Sequence, residues 1–150
     1  MTNKISVQAK KSLGQNFLVN PHVLDRITQT ADITPMDTVV EIGPGTGVLT
    51  ERLVATGARI IAIEKDRRLI EPLQEKFPTA QIIEGDALIT HPPCDIIVGN
   101  IPYYLTSHLI REILENWRPK RAILMVQEEV AQRMIAAPPN MNLLALSVQL

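Results

Sequence analysis

A chain of 150 residues, 45% of them hydrophobic, can bury one core of ordinary size, so a single domain over 1–150 is expected. Its formal charge of −1 excludes the global basic footprint of many nucleic-acid binders, and any such surface must be local.

The chain opens on a polar stretch carrying Lys4, Lys10 and Lys11, which reads either as a solvated tail or as a phosphate contact. A helix is expected over Pro21–Ala31. The run Thr38-Val39-Val40-Glu41-Ile42 then reads as a buried strand entering Gly43-Pro44-Gly45-Thr46-Gly47, and helical spacing follows over 46–56. Glycines in such a turn permit positive φ and close approach of a ligand, and a helix start presents free N–H groups. A phosphate-binding loop would need Gly-Lys-Ser/Thr, which is missing. A dinucleotide fingerprint would need glycine where Val48 stands. The pattern Glu-x-Gly-x-Gly-x-Gly resembles instead the glycine loop of S-adenosylmethionine-dependent methyltransferases.

Next comes Arg59-Ile60-Ile61-Ala62-Ile63, a second apolar strand closed by Glu64 about 20 residues beyond the first glycine. That is the offset at which a carboxylate meets ribose hydroxyls. After a helix over 66–76, a third strand, Gln81–Glu84, runs into Gly85-Asp86-Ala87. Asp86 therefore projects from the same sheet edge, where an ionised carboxylate suits an adenine amino group. Either acid alone reads first as a solvated loop carboxylate or a helix cap. Their placement at the ends of successive strands makes coincidence a poor account.

A fourth strand over 95–99 delivers Asn100-Ile101-Pro102-Tyr103 to its carboxyl end, where α/β folds place their chemistry. Asn100 offers a side-chain carbonyl, Pro102 biases Ile101 to an extended backbone, and Tyr103 supplies a flat apolar face. Standing alone the tetrapeptide is a turn closing a strand. Beside a cofactor loop, two acceptors and a ring suit a planar aromatic amine. A helix over 106–116, a strand over 121–126 and a helix over 127–136 complete the order. Alternation of strand and helix implies a parallel sheet with right-handed crossovers. Arg118, Lys120 and Arg121 precede the fifth strand and fall at the edge opposite the site, which gives them a structural or solubility role.

Cys94 is the single cysteine and has no disulfide partner, and His22, His91 and His108 are scattered, so no metal is expected. No run approaches the ~20 apolar residues of a membrane helix. The polar start lacks a signal-peptide core, and a soluble cytoplasmic protein is expected.

Lys11-Ser12-Leu13-Gly14-Gln15-Asn16-Phe17-Leu18, the glycine loop, Glu64, Gly85-Asp86-Ala87 and Asn100-Ile101-Pro102-Tyr103 occur in the order found in the ribosomal RNA adenine dimethyltransferases. The chain resembles the amino-terminal part of that family over nearly its whole length. The family includes the small-subunit enzymes linked to kasugamycin sensitivity and the erythromycin-resistance methylases, and Tyr104 with the amino-terminal motif places the chain nearer the former. The resemblance implies an α/β, Rossmann-like methyltransferase fold with sheet order 3-2-1-4-5. It further implies an S-adenosylmethionine site formed by Gln15, Asn16, Leu18, Glu41, Gly43, Gly45, Gly47, Glu64, Asp86, Ala87 and Asn100. Asn100, Ile101, Pro102 and Tyr103 would act on the target adenine of ribosomal RNA in a small-subunit particle. The family's antiparallel hairpin, a second aromatic for the target base and a helical domain lie beyond residue 150, and self-association through an exposed fifth strand is expected. Two other readings stay open: a cofactor-binding fragment or ribosome assembly factor without activity, and a nicotinamide-dependent oxidoreductase.

Overall fold

The computed structural model describes residues 20–142 together with 144, 148 and 149. Gln15, Asn16, Leu18 and the lysines at 4, 10 and 11 lie outside the described residues, as does part of the stretch 142–150.

Five β-branched, apolar runs form the sheet: β1 (Thr38–Ile42), β2 (Arg59–Glu64), β3 (Gln81–Glu84), β4 (Ile96–Asn100) and β5 (Arg121–Met125). All neighbours are parallel, and the order is β3-β2-β1-β4-β5, as the family resemblance implies. Because both faces are covered, the central strands are largely apolar rather than alternating, with Glu41 the buried exception in β1. Val39, Ile60, Ile96 and Val98 pack one face against Leu24, Ile27 and Ala31 of α1 (Pro21–Ala31) and Leu49 and Leu53 of α2 (Val48–Val54). Val40, Ile42, Ile61, Ile63 and Ile97 pack the other against Leu109 of α4 (Thr106–Glu112), with Ile113 and Trp117 just beyond it. A third cluster holds Leu69 and Leu73 of α3 (Arg67–Lys76) with Phe77. The final helix is α5 (Glu128–Met134).

Local chemistry accounts for the ends. Asn20 caps α1, its side chain accepting the His22 N–H at 3.0 Å with Pro21 at the first helical position. Asp66 caps α3 in the same manner. The helix expected over 106–116 keeps α-geometry only to Glu112 and then widens into a π-turn over Ile113–Trp117. The turn closes with the Arg118 N–H on the Ile113 carbonyl at 2.8 Å, and the Trp117 indole N–H reaches the Pro92 carbonyl at 2.7 Å. A tryptophan brought into the core with its N–H satisfied is a packing gain that regular α-geometry has no need to match. Among the described residues no helix is long and apolar enough to cross a membrane.

Candidate active site

The strands end in register at their carboxyl edge. Ile42 lies opposite Ile63 and Gly99, Glu64 opposite Glu84, and Asn100 opposite Met125. The ladder continues one rung into the loops, with Gly43 N–H on Ile63 O at 2.9 Å, Gly85 N–H on Glu64 O at 2.9 Å and Ile101 N–H on Met125 O at 3.0 Å. The loop residues are therefore held by the sheet itself. They enclose one cavity of about 550 Å³.

Glu41, Gly43, Gly45, Glu64, Asp86, Ala87, Asn100, Ile101, Pro102 and Tyr103 all line this cavity. Gly43 has φ 67°, and a Cβ built on it would meet nothing within 4 Å, so the loop leaves open space where a side chain would otherwise project. Gly47 is different. It does not line the cavity, and its Cβ would fall 2.4 Å from the Phe77 ring, which makes it the glycine that lets α2 start against α3.

Three carboxylates face the cavity, each held differently. Glu64 is 5% exposed, with Oε2 accepting the Gly45 N–H at 3.1 Å and Oε1 the Asp66 N–H at 2.8 Å. The Lys65 main-chain N–H also bears on this carboxylate, which retains acceptor capacity for a hydroxyl donor. Burial pushes its pKa up against those N–H donors. Glu41 is buried beneath the glycine loop and accepts the Thr50 hydroxyl at 2.6 Å, and burial raises it to about 8, with the Glu64 charge adding to the rise. Burial also pushes Asp86 up, but hydrogen bonds from the Lys65 ammonium at 2.7 Å and the Leu88 N–H at 3.0 Å outweigh it and hold the carboxyl below its ordinary value.

On the other side of the glycine loop, Asn100 is the last residue of β4 and half-buried. Ile101 is 4% exposed, anchoring the tetrapeptide in the core. The Pro102 carbonyl accepts the Leu105 N–H at 3.0 Å and the Thr106 hydroxyl at 3.2 Å, which folds Tyr103–Leu105 into a 3-10 turn leading into α4. Tyr103 is thereby left 64% exposed at the rim, its ring 5.9 Å from that of Tyr104 and edge-on to it. A large aromatic exposed beside a cavity is a stacking surface in waiting.

Several lining residues carried no sequence signal. Asn20 arrives from the start of α1, Met125 and Gln127 from the end of β5, and Lys65 as the neighbour of a residue already singled out. Tyr104, which entered the sequence reading only through the family resemblance, also lines the cavity. Among the described residues no group of three or more His, Cys, Asp and Glu is placed to hold a metal.

Residues 6–150 match the family model described as ribosomal RNA adenine dimethylase. The chain is 42% identical over 160 residues to the ribosomal RNA small subunit methyltransferase A of Dehalococcoides mccartyi, an alignment covering 99% of this chain and 55% of that protein. Among solved structures it resembles a dimethyladenosine transferase from Plasmodium falciparum, at a TM-score of 0.82 and 36% identity over 89% of this chain and 52% of that one. It also resembles the 23S rRNA methyltransferase ErmE, at a TM-score of 0.72 and 34% identity over 79% of this chain and 50% of that one. The chain spans about half the length of the relatives it matches.

Proposed function

Because the chain belongs to the ribosomal RNA adenine dimethylase family, we propose that it transfers methyl groups from S-adenosylmethionine to the exocyclic amine of adenines in small-subunit ribosomal RNA. The observation that carries this reading is that one cavity holds both halves of the chemistry. Glu64 and Asp86 come from β2 and β3 on one side of the glycine loop, and Asn100 and Tyr103 from β4 on the other.

The cavity fits the cofactor on its own terms. Gly43 leaves room above the loop, Glu64 offers a buried carboxylate for a ribose hydroxyl, and Asp86 offers an ionised acceptor for a 6-amino group. Glu41 lies under the loop as a buried carboxyl whose raised pKa leaves it largely protonated at neutral pH, and a cationic ligand above it would favour its ionised form. When bound, S-adenosylmethionine supplies an electrophilic methyl on a sulfonium that departs as a neutral thioether. The residues of this chain supply position. The Asn100 side-chain carbonyl and the Ile101 main-chain carbonyl are the acceptors we assign to the two N–H groups of the target amine. An aromatic amine is a poor nucleophile because its lone pair is delocalised, and holding both N–H groups favours the pyramidal form. Tyr103 stacks on the base. The same acceptors, or water, would take up the proton that the amine gives up on methylation. Most of the rate comes from orientation and preorganised dipoles. The base must be unstacked to enter, so loop or single-stranded RNA is the expected target.

Labelled methyl transfer to unmethylated small-subunit particles, with nucleoside mass spectrometry to separate mono- from dimethyladenosine, tests the reading. No incorporation, with cofactor binding intact, would favour a cofactor-binding assembly factor. The similarity to ErmE supports one second reading, a large-subunit RNA target, and naked large-subunit RNA is the matching control. Self-association completes the proposal. β5 ends the sheet among the described residues, and an unpaired strand edge recruits other chains. Light scattering that stays at monomer mass across a concentration series would remove this last part.

A further inference from the structure

Lys65 follows Glu64 at the carboxyl end of β2 and is the single cation among the described residues lining the cavity. Its ammonium lies 2.7 Å from Asp86 Oδ2, while Oδ1 takes the Leu88 N–H at 3.0 Å. Each oxygen thus carries one donor and retains a lone pair, and the carboxyl cannot rotate without breaking a bond. The Lys65 side chain is 61% exposed and that of Asp86 26%, so the ammonium reaches in from solvent over a largely covered carboxylate.

The charged neighbours leave this duty to Lys65. Tyr104, from the turn after β4, lies close enough to act on the ammonium. Arg67 and Glu84 are paired with each other. The His91 ring sits 3.2 Å from the Ala87 carbonyl and 3.8 Å from Glu112. Glu64 is occupied by the Gly45 and Asp66 N–H groups.

We propose that Lys65 is a positioning residue for the cofactor's purine, holding Asp86 as a fixed, ionised acceptor for the 6-amino group. The proposal rests on the reading of this cavity as the S-adenosylmethionine site. Lys65 touches no reacting atom and is not a catalytic residue. Its importance is that protonation of Asp86 would remove the charge and turn one of its two oxygens into a donor, weakening the acceptor offered to the purine's amino group. Without the ammonium, burial is left opposed only by the Leu88 N–H, and the carboxyl takes up a proton at a higher pH than in the wild type.

Calorimetric titration of the whole chain with S-adenosylhomocysteine, from pH 5 to pH 8, tests this on the wild type, Lys65→Met and Lys65→Arg. The ratio of variant to wild-type affinity cancels the titration of Glu41 and Glu64, which all three proteins share. At pH 7.5 Lys65→Met should weaken binding about two- to five-fold, the scale of a partly exposed ion pair. The gap should widen as the pH falls, Lys65→Arg should restore most of the affinity, and in methyl transfer the loss should fall on KM for the cofactor rather than on kcat. Thermal melting of each variant reads folding separately, and Lys65→Gln serves if the methionine variant melts early. Wild-type affinity at every pH in Lys65→Met overturns the proposal. Tighter binding overturns it too, by showing that the ammonium competes with the purine. A wild-type chain that binds no S-adenosylhomocysteine would overturn the cofactor reading itself, and the role of Lys65 with it.

Discussion

At the amino edge of the sheet Asp95 accepts the Thr38 N–H at 2.9 Å and the Lys120 ammonium at 2.8 Å, and those two bonds hold its carboxyl below the ordinary value. At the carboxyl edge Glu41 is buried with the Thr50 hydroxyl for company, and its pKa is raised to about 8. The same functional group is spent on holding strands together at one edge and kept poised at the other. Asp95 ties β1, β4 and the start of β5 together, since its own N–H meets the Thr38 carbonyl and its carbonyl takes the Lys120 N–H. A structural carboxylate is saturated by charge and donors. Glu41 and Glu64 are instead covered without a cation, a condition that costs stability unless a cationic or hydroxyl-bearing ligand offsets it.

The harshest test of this contrast is Asn100→Ala. It should lower kcat about 10²-fold or more, the scale for removing one preorganised partner of the reacting group, while cofactor affinity changes far less. Lys120→Met, at the other edge, should leave kcat untouched. Equal losses of rate and affinity in Asn100→Ala would reduce that residue to a cofactor ligand.

Glu64→Ala comes next. It should weaken S-adenosylmethionine binding by about 1.5–3 kcal/mol, the range for charge-assisted hydrogen bonds, as read by calorimetry. Asp95→Ala should do the reverse, lowering the melting temperature and sparing the affinity. Comparable affinity losses in both variants would erase the distinction between the edges.

Tyr103→Ala should weaken RNA engagement by about 1–3 kcal/mol through lost stacking, and Tyr103→Phe should be mild, because the ring carries the interaction. A severe defect in the phenylalanine variant would assign the role to the hydroxyl instead.

The gentlest test is the pH dependence of the ligand-free protein. Glu41 has a folded pKa of about 8 against an unfolded value of 4.5, so the folded state binds its proton more tightly. Its contribution to stability is complete below about pH 4.5 and is lost as the pH rises through about 8. Asp95 has the opposite sign: its folded pKa is depressed, so its contribution is present above the unfolded value of 3.8 and lost as the pH falls. Denaturant midpoints measured between pH 5 and 8 should fall for the wild type and fall less steeply for Glu41→Gln, in which Glu64, also raised by burial, still titrates. A slope as steep in Glu41→Gln as in the wild type would place the titrating group elsewhere.

Much of the fold was legible because the strands announce themselves. Val39-Val40, Ile60-Ile61 and Ile96-Ile97 are β-branched runs bounded by turns, and the bounds of α1, β1 and β3 fall where pattern and capping residues put them. Boundaries shifted where tertiary contacts intervened. α2 starts at Val48 rather than 46, because Gly47 takes φ 81° to pass Phe77. β4 runs one residue later than its pattern, over Ile96–Asn100, because Asp95 is drawn into bonds with Thr38 and Lys120. The helix after Thr106 changes pitch to seat Trp117.

The candidate site divides along the same line. Its residues at and just beyond the strand ends, Glu64, Asp86, Asn100 and Tyr103, are set by the sequence, since the segments that follow parallel strands all emerge at one edge of the sheet. Tertiary structure decided the rest. It removed Gly47 from the cavity and gave it to α3, brought Asn20 and Gln127 to the lining, and set Lys65 on Asp86 across 21 residues of chain. It also decided which carboxylates are poised. Ionisation depends on burial and on the nearest donor, and neither is written in the order of residues until the strands are side by side.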